Sequence, residues 1–212
     1  MIGILDFDGT LVDSYSCIPI FYEKIRERIN LDEGFIDAML LIEDIGDYFG
    51  IFEREKFAKL IFKDTEDFVN EYWKWRKENT HILPGTIEFL EKYKDKIDLY
   101  LLTSKDDTKE IKLERIKYTG LDKYFKDIVI YGTDEFKNIR EGLEYIKDID
   151  KVLFYVDDKN TNLFNIRDII NVSLFKKVFY PPFPLRLAWR YPKINFPKII
   201  NLLELERYIK LE

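Results

Sequence analysis

Two aspartates separated by one residue, Asp6 and Asp8, close the first apolar run of the chain, in the stretch Asp6-Phe7-Asp8-Gly9-Thr10-Leu11-Val12-Asp13-Ser14. The glycine directly after them lets the chain turn, so both carboxylates can converge on one site. Buried together without a cation they would repel, and one would tend to hold a proton. A hard divalent ion removes that difficulty, and Mg²⁺ held by one or two carboxylates suits phosphate substrates. An isolated pair of aspartates is more often a polar turn or a helix cap. The whole stretch, set behind an apolar strand, points instead to a site.

Two further places in the chain repeat this arrangement of an apolar run closed by polar residues. Leu99 to Leu102 ends on Thr103, Ser104 and Lys105, and Phe154 to Val156 ends on Asp157 and Asp158, with Asn162 following. In open parallel sheets ligands bind beyond the carboxyl ends of the strands, which is where all three groups would stand. Taken alone, Thr103 could equally be a helix N-cap.

The run DFDGTLVDS resembles the signature of the haloacid dehalogenase-like superfamily of phosphatases. The resemblance implies that Asp6 attacks phosphorus and that Asp8 serves as general acid and then general base. The superfamily's dehalogenase branch lacks an acid at the second position, so Asp8 implies phosphoryl transfer. Thr103, with Ser104 as a substitute, takes the role of the phosphate-binding hydroxyl. Asp158 aligns with the acid that binds Mg²⁺, giving a metal site of Asp6, Asp158 and Asp8, the last through its backbone carbonyl. Asp157 stands where many members have glycine and Asn162 where many have aspartate. The phosphate-neutralising lysine is expected at Lys137, with Asn138 in place of the usual proline; Lys105 and Lys109 are alternatives. Within the superfamily the chain looks like the phosphoglycolate phosphatase-like members with a helical cap. The activity implied is Mg²⁺-dependent hydrolysis of a small phosphomonoester; a phosphomutase of the same superfamily, or a non-catalytic binding protein that keeps the fold, are the alternatives.

The elements that must position these residues alternate along the chain. Apolar runs at Met1–Phe7, Ile97–Leu102, Ile128–Tyr131 and Val152–Val156, with a weaker one at Val178–Tyr180, predict strands. Helical periodicity separates them over Thr86–Tyr93, Ile111–Tyr118 and Phe136–Ile146. This alternation predicts an α/β fold with a parallel sheet, Rossmann-like by the resemblance. Residues 14–81 show no convincing strand and four helical patterns, starting near Tyr15, Phe35, Glu53 and Thr65. They read as an all-helical cap inserted after the first strand, between core segments 1–13 and 82–212, with Pro84-Gly85 marking the return. The prolines between Pro181 and Pro197 predict an irregular tail, followed by a final helix carrying Ile199, Ile200, Leu203 and Tyr208.

At 212 residues and a formal charge of -6, one core with a small accessory domain is expected, with no global attraction to nucleic acid or anionic membranes. A small phosphorylated molecule is the expected partner; oligomeric state is not legible. One cysteine, Cys17, excludes an intramolecular disulfide and reads as a small buried residue. No apolar run reaches membrane-spanning length and the N-terminus does not read as a signal peptide, so a cytoplasmic location is expected. The absence of glutamine and the abundance of Lys and Glu fit a thermophile's protein; biased genome composition explains the same pattern. The lone histidine, His81, reads as a loop or core residue. Arg76 is a candidate anion contact, and Trp73 and Trp75 could line a substrate pocket, though core packing is the simpler reading of Trp73. Arg186, Trp189, Arg190 and Tyr191 read as a packed or variable tail before a base-stacking surface.

Overall fold

The computed structural model describes residues 1–51, 53–170, 173–176 and 196–209. A parallel sheet of six strands forms its centre, in the order β5-β4-β1-β6-β7-β8. The strands are β1 (Ile2–Leu5), β4 (Asp98–Ser104), β5 (Asp127–Tyr131), β6 (Val152–Asp157), β7 (Ser173–Lys176) and β8 (Lys198–Ile199). β1 pairs with β4 on one side and β6 on the other, so the three strands expected to end in polar site residues are neighbours.

The strands are buried on both faces. Along β1 and β4, Ile2, Ile4, Tyr100 and Leu102 pack with α7 (Ile139–Lys147) and α8 (Asn160–Ile166). Leu5, Leu99 and Leu101 face the opposite way, onto α5 (Thr86–Tyr93), α6 (Lys109–Thr119) and the 3-10 turn Leu202–Arg207. This two-sided covering is why the strands read as near-continuous apolar runs.

Between β1 and β4 the chain builds a separate helical block of α1 (Cys17–Ile29), α2 (Gly34–Phe49), α3 (Arg54–Ala58) and α4 (Glu66–Glu78). It has its own apolar cluster, in which Phe21, Tyr22, Phe68, Tyr72 and Trp73 pack together. Phe21 meets the Tyr72 ring edge to face at 5.4 Å. The chain leaves and re-enters the sheet region through a two-stranded antiparallel ribbon, β2 (Val12–Asp13) with β3 (His81–Ile82). His81 is an exposed ribbon residue paired with Asp13.

Two expectations need correction. On α6 the periodicity nominates Ile111, Leu113, Ile116 and Tyr118 as the inward face, but the buried residues are Lys112, Arg115 and Ile116, while Tyr118 is exposed. The expected final helix is instead β8 followed by the 3-10 turn. Asn201 starts that turn by accepting from Leu203 N at 2.9 Å, while the Glu204 side chain accepts from Asn201 N at 2.9 Å. The fifth strand in chain order along the sheet lies at Ser173–Lys176, and the expected run Val178–Tyr180 falls outside the described residues. So do the prolines from Pro181 to Pro192 and the group Arg186, Trp189, Arg190 and Tyr191. Among the described residues no helix is long and apolar enough to cross a membrane.

Candidate active site

The carboxyl ends of β1, β4 and β6 meet under the helical block around a narrow chamber of about 30 Å³. Asp6 follows β1 directly, and its backbone N–H donates to Val156 O at 2.9 Å, which pins the turn to β6. Gly9 then turns the chain with φ +76, a left-handed conformation that favours glycine. It is also required by space, because a Cβ there would stand 2.3 Å from an Asp158 carboxylate oxygen.

Asp6, Asp157 and Asp158 each offer a carboxylate oxygen within 4.8 Å of the others, and all three are buried. Burial, and then the charges of Asp157, Asp158 and Asp8, push the Asp6 carboxyl well above its usual range. Burial and Asp158 push Asp157 up to about 6. Three buried carboxylates in mutual repulsion are a donor set that fits a hard cation such as Mg²⁺, whose charge would relieve that repulsion. Asp157 is held by Lys159 N at 2.6 Å and by Asn162 Nδ2 at 2.8 Å, with the Tyr155 hydroxyl also donating to it. Asn162 thus orients an acid of the cluster, in addition to donating to the Tyr131 hydroxyl at 3.2 Å.

Asp8 belongs to a different group. Its carboxylate accepts from Arg115 at 2.6 Å and from Lys112 and Ser14, with Arg76 Nη2 at 3.6 Å. Asp106 completes the cluster, 2.9 Å from both Lys112 and Arg115. Burial pushes the Asp8 carboxyl upward, but Arg115, Lys112 and Arg76 together hold it well below the usual carboxylate range. The Asp8 side chain therefore lies among these cations, and Asp157 joins Asp6 and Asp158 in the acid cluster; the metal contact expected of Asp8 is through its backbone carbonyl, which this placement leaves untouched.

Thr103, almost fully buried, and Ser104 line the chamber from the end of β4. Its cationic wall is made by Lys105, Lys112, Lys159, Arg54 and Arg76. The expected phosphate-binding Lys137 is not on that wall. Asn138, where a proline was the usual residue, caps α7 by accepting from Arg140 N and Glu141 N, and Lys137 N donates to Glu141. That local pattern leaves the exposed Lys137 side chain on the neighbouring surface cavities. Lys105 does line the chamber, tied to Glu53 at 3.3 Å, whereas Lys109 pairs with Glu135 at 2.8 Å away from it.

Sequence reasoning missed Lys112, Arg115, Asp106, Arg54 and Lys159. The block contributes Arg76 and Trp73 to the chamber, so Trp73 packs in the block's cluster and also lines the site. Asp107 fastens the block to the core, accepting from Trp73 Nε1 and Arg54 N at 2.8 Å each. Trp75 donates to Cys17 O and lies outside the chamber, and Cys17 is a buried thiol pushed up to about 11 by burial.

A parallel sheet of this order, with acids at the ends of two adjacent central strands, defines an α/β protein with its site where open sheets bind ligands. The family model for haloacid dehalogenase-like hydrolases matches residues 3–164, and the chain belongs to that family. Solved structures agree on the fold. A HAD phosphatase from Thermococcus onnurineus is 18% identical over 100% of this chain and 98% of its own, with a TM-score of 0.67. The magnesium-bound YfnB of Bacillus subtilis is 15% identical over 97% of this chain and 96% of its own, with a TM-score of 0.68. The L-2-haloacid dehalogenase of Xanthobacter autotrophicus is 10% identical over 99% of both chains, with a TM-score of 0.67. No curated protein sequence matches the chain.

Proposed function

We propose that the chain is a Mg²⁺-dependent phosphomonoesterase in which Asp6 accepts the phosphoryl group and water then removes it. The observation that carries this reading is the setting of Asp6. It stands at the end of the central strand, within reach of two further buried acids, on a chamber walled by lysine and arginine. Such a wall suits a dianionic group, and the acid cluster suits the cation that accompanies it.

Asp6, Asp157 and Asp158 would hold Mg²⁺, which supplies the positive charge that lets a carboxylate approach a phosphoryl group. The Thr103 and Ser104 hydroxyls bind phosphoryl oxygens, and Lys105 and Lys159 neutralise their charge. A carboxylate oxygen of Asp6 attacks phosphorus in line, and the ester bond breaks with its electron pair going to the leaving alcohol. Asp8, held as a carboxylate, removes a proton from the water that attacks the aspartyl-phosphate. For the first half it must carry a proton, taken up from solvent and passed to the leaving oxygen; the substrate's negative charge beside Arg76 and Lys112 offsets theirs and eases that uptake. Residues 14–81 act as a cap over a core of 1–13 and 82–212. A chamber with room for about two waters admits an ester only when that cap moves, which ties chemistry to closure.

Rapid quenching of turnover on an aryl phosphate, followed by peptide mass spectrometry, tests the reading directly. A phosphoryl group on Asp6 is the expected result; a phosphorylated residue elsewhere, or none during measurable turnover, overturns it. In parallel assays of sugar phosphates, isomerised sugar without free phosphate identifies a mutase. Silence across a broad panel identifies a binding protein.

A further inference from the structure

A second cavity, of about 300 Å³, adjoins the catalytic chamber and shares three wall residues with it, Tyr131, Lys159 and Asn162. The two compartments differ in character as well as in size. The acids line the narrow one, and among the described residues the wide one has no acid on its wall. Tyr48 and Phe49, at the end of α2, form one side, with ring centroids 5.1 Å apart and planes edge to face. Lys137, Thr161 and Asn165 of the core supply an ammonium, a hydroxyl and an amide, and none of these side chains is bonded to another described residue.

Phe49 is 69% exposed and Tyr48 45%. A lone exposed aromatic is ordinary, but an adjacent pair beside a chemical site is a surface that gains free energy once covered. We propose that this cavity holds the leaving group of the phosphomonoester, and that this group is a polyhydroxylated ring, the chemistry shared by sugar and nucleoside phosphates. A ring face stacks on the aromatic pair while its hydroxyls meet Lys137, Thr161 and Asn165. The volume lies at the lower end of small-molecule sites, about 300–1,000 Å³. A two-carbon acid of the phosphoglycolate kind would fill little of it and leave both rings uncovered. Lys137 thereby binds the part of the substrate that departs. The inference rests on the phosphomonoesterase reading.

The test compares initial rates with Mg²⁺ on ribose 5-phosphate, glucose 6-phosphate, adenosine monophosphate, glycerol 3-phosphate and acetyl phosphate. It uses the parent chain, Phe49→Ala and Asn165→Trp, both substitutions falling at exposed positions. The best ring ester should exceed the acyclic substrates in kcat/KM by about tenfold or more, and that ratio should fall about tenfold in Phe49→Ala. Asn165→Trp, which fills the cavity, should lower it further. The sugar and nucleoside arms identify which source of the ring is preferred. Equal kcat/KM for ring and acyclic substrates, or a ratio unmoved in both variants, overturns the subsite while leaving the phosphatase intact. Absence of phosphate release from every substrate, acetyl phosphate included, overturns the underlying reading and the subsite with it.

Discussion

Asp6 and Asp8 are separated by one residue, both buried, and chemically identical, yet the fold gives them opposite surroundings. Burial and then the carboxylates of Asp157, Asp158 and Asp8 push the Asp6 pKa up; burial pushes Asp8 up too, but Arg115, Lys112 and Arg76 outweigh it and hold that pKa down. Pairs of acids whose surroundings separate their ionisation are a recurring way to obtain two roles from one side chain. Here the separation comes from which elements each residue meets. Asp6 meets the end of β6, and Asp8 meets α6 and, through Arg76, α4 of the helical block. One acid cluster calls for a cation from solution, and the other carries its cations within the chain.

The sharpest way to break this comparison is the same substitution at both positions. Asp6→Asn should lower Mg²⁺-dependent turnover of an aryl phosphate by about four decades or more, since no other group replaces a lost nucleophile. Asp8→Asn should also lose turnover but retain Mg²⁺ binding, measured by calorimetry. Near-normal rates in Asp6→Asn would end the covalent scheme.

Stability should separate the pair by sign. Asp8→Asn leaves Lys112 and Arg115 sharing only Asp106, and breaking a buried ion cluster costs about 3–5 kcal/mol in denaturant titration. Asp6→Asn removes a like charge from a repelling cluster and should stabilise the metal-free protein by roughly 1 kcal/mol. A loss of stability in both variants would remove the distinction.

The pH dependence follows with opposite slopes. Asp157 and Asp6 are raised in the folded state, so their contribution is full below the unfolded carboxylate value near 4. It is lost as pH climbs through the folded values, about 6 for Asp157. Metal-free protein should therefore lose a few kcal/mol between about pH 4 and 7, and Mg²⁺ should restore most of it. Asp8 and Asp106 are lowered, so their contribution is present above that same unfolded value and disappears as pH falls through their folded values. A melting-temperature map over pH, with and without Mg²⁺, resolves the two limbs; a metal-free profile flat from pH 4 to 7 would contradict the repulsion at Asp6.

The smallest expected contrast concerns the lysines. Lys159, whose charge acts on Asp6, should cost about two decades in kcat when changed to Ala. Lys137→Ala should cost less than about tenfold, chiefly through KM. The reverse order would return the phosphate to Lys137.

Much of this could be read in the chain before any coordinates. The apolar runs ending in Asp6, Thr103 and Asp157 became adjacent strands because a residue pattern buried on both faces has few other homes. The four helical periodicities between Ser14 and His81 became four helices. What stayed hidden was pairing over distance. Lys112 and Arg115 lie on α6 among apolar neighbours, and only contact with Asp8, 104 and 107 positions earlier, makes them inward-facing. On a periodicity plot they look like solvent-facing charges, because their burial depends on partners the helix does not contain. Lys137 was placed by its interval alone, and the Asn138 cap, a local hydrogen-bond pattern, redirected it.

The ribbon of Val12–Asp13 against His81–Ile82 has a wider implication. Both ends of the inserted stretch leave the core at one point, so its entire length is a graft on a single stem. Changes of size or sequence in that graft need not disturb the register of the sheet beneath. On the proposed reading, recognition of the departing group can therefore diversify, or be engineered by exchange at this stem, while the acids at the strand ends stay where they are.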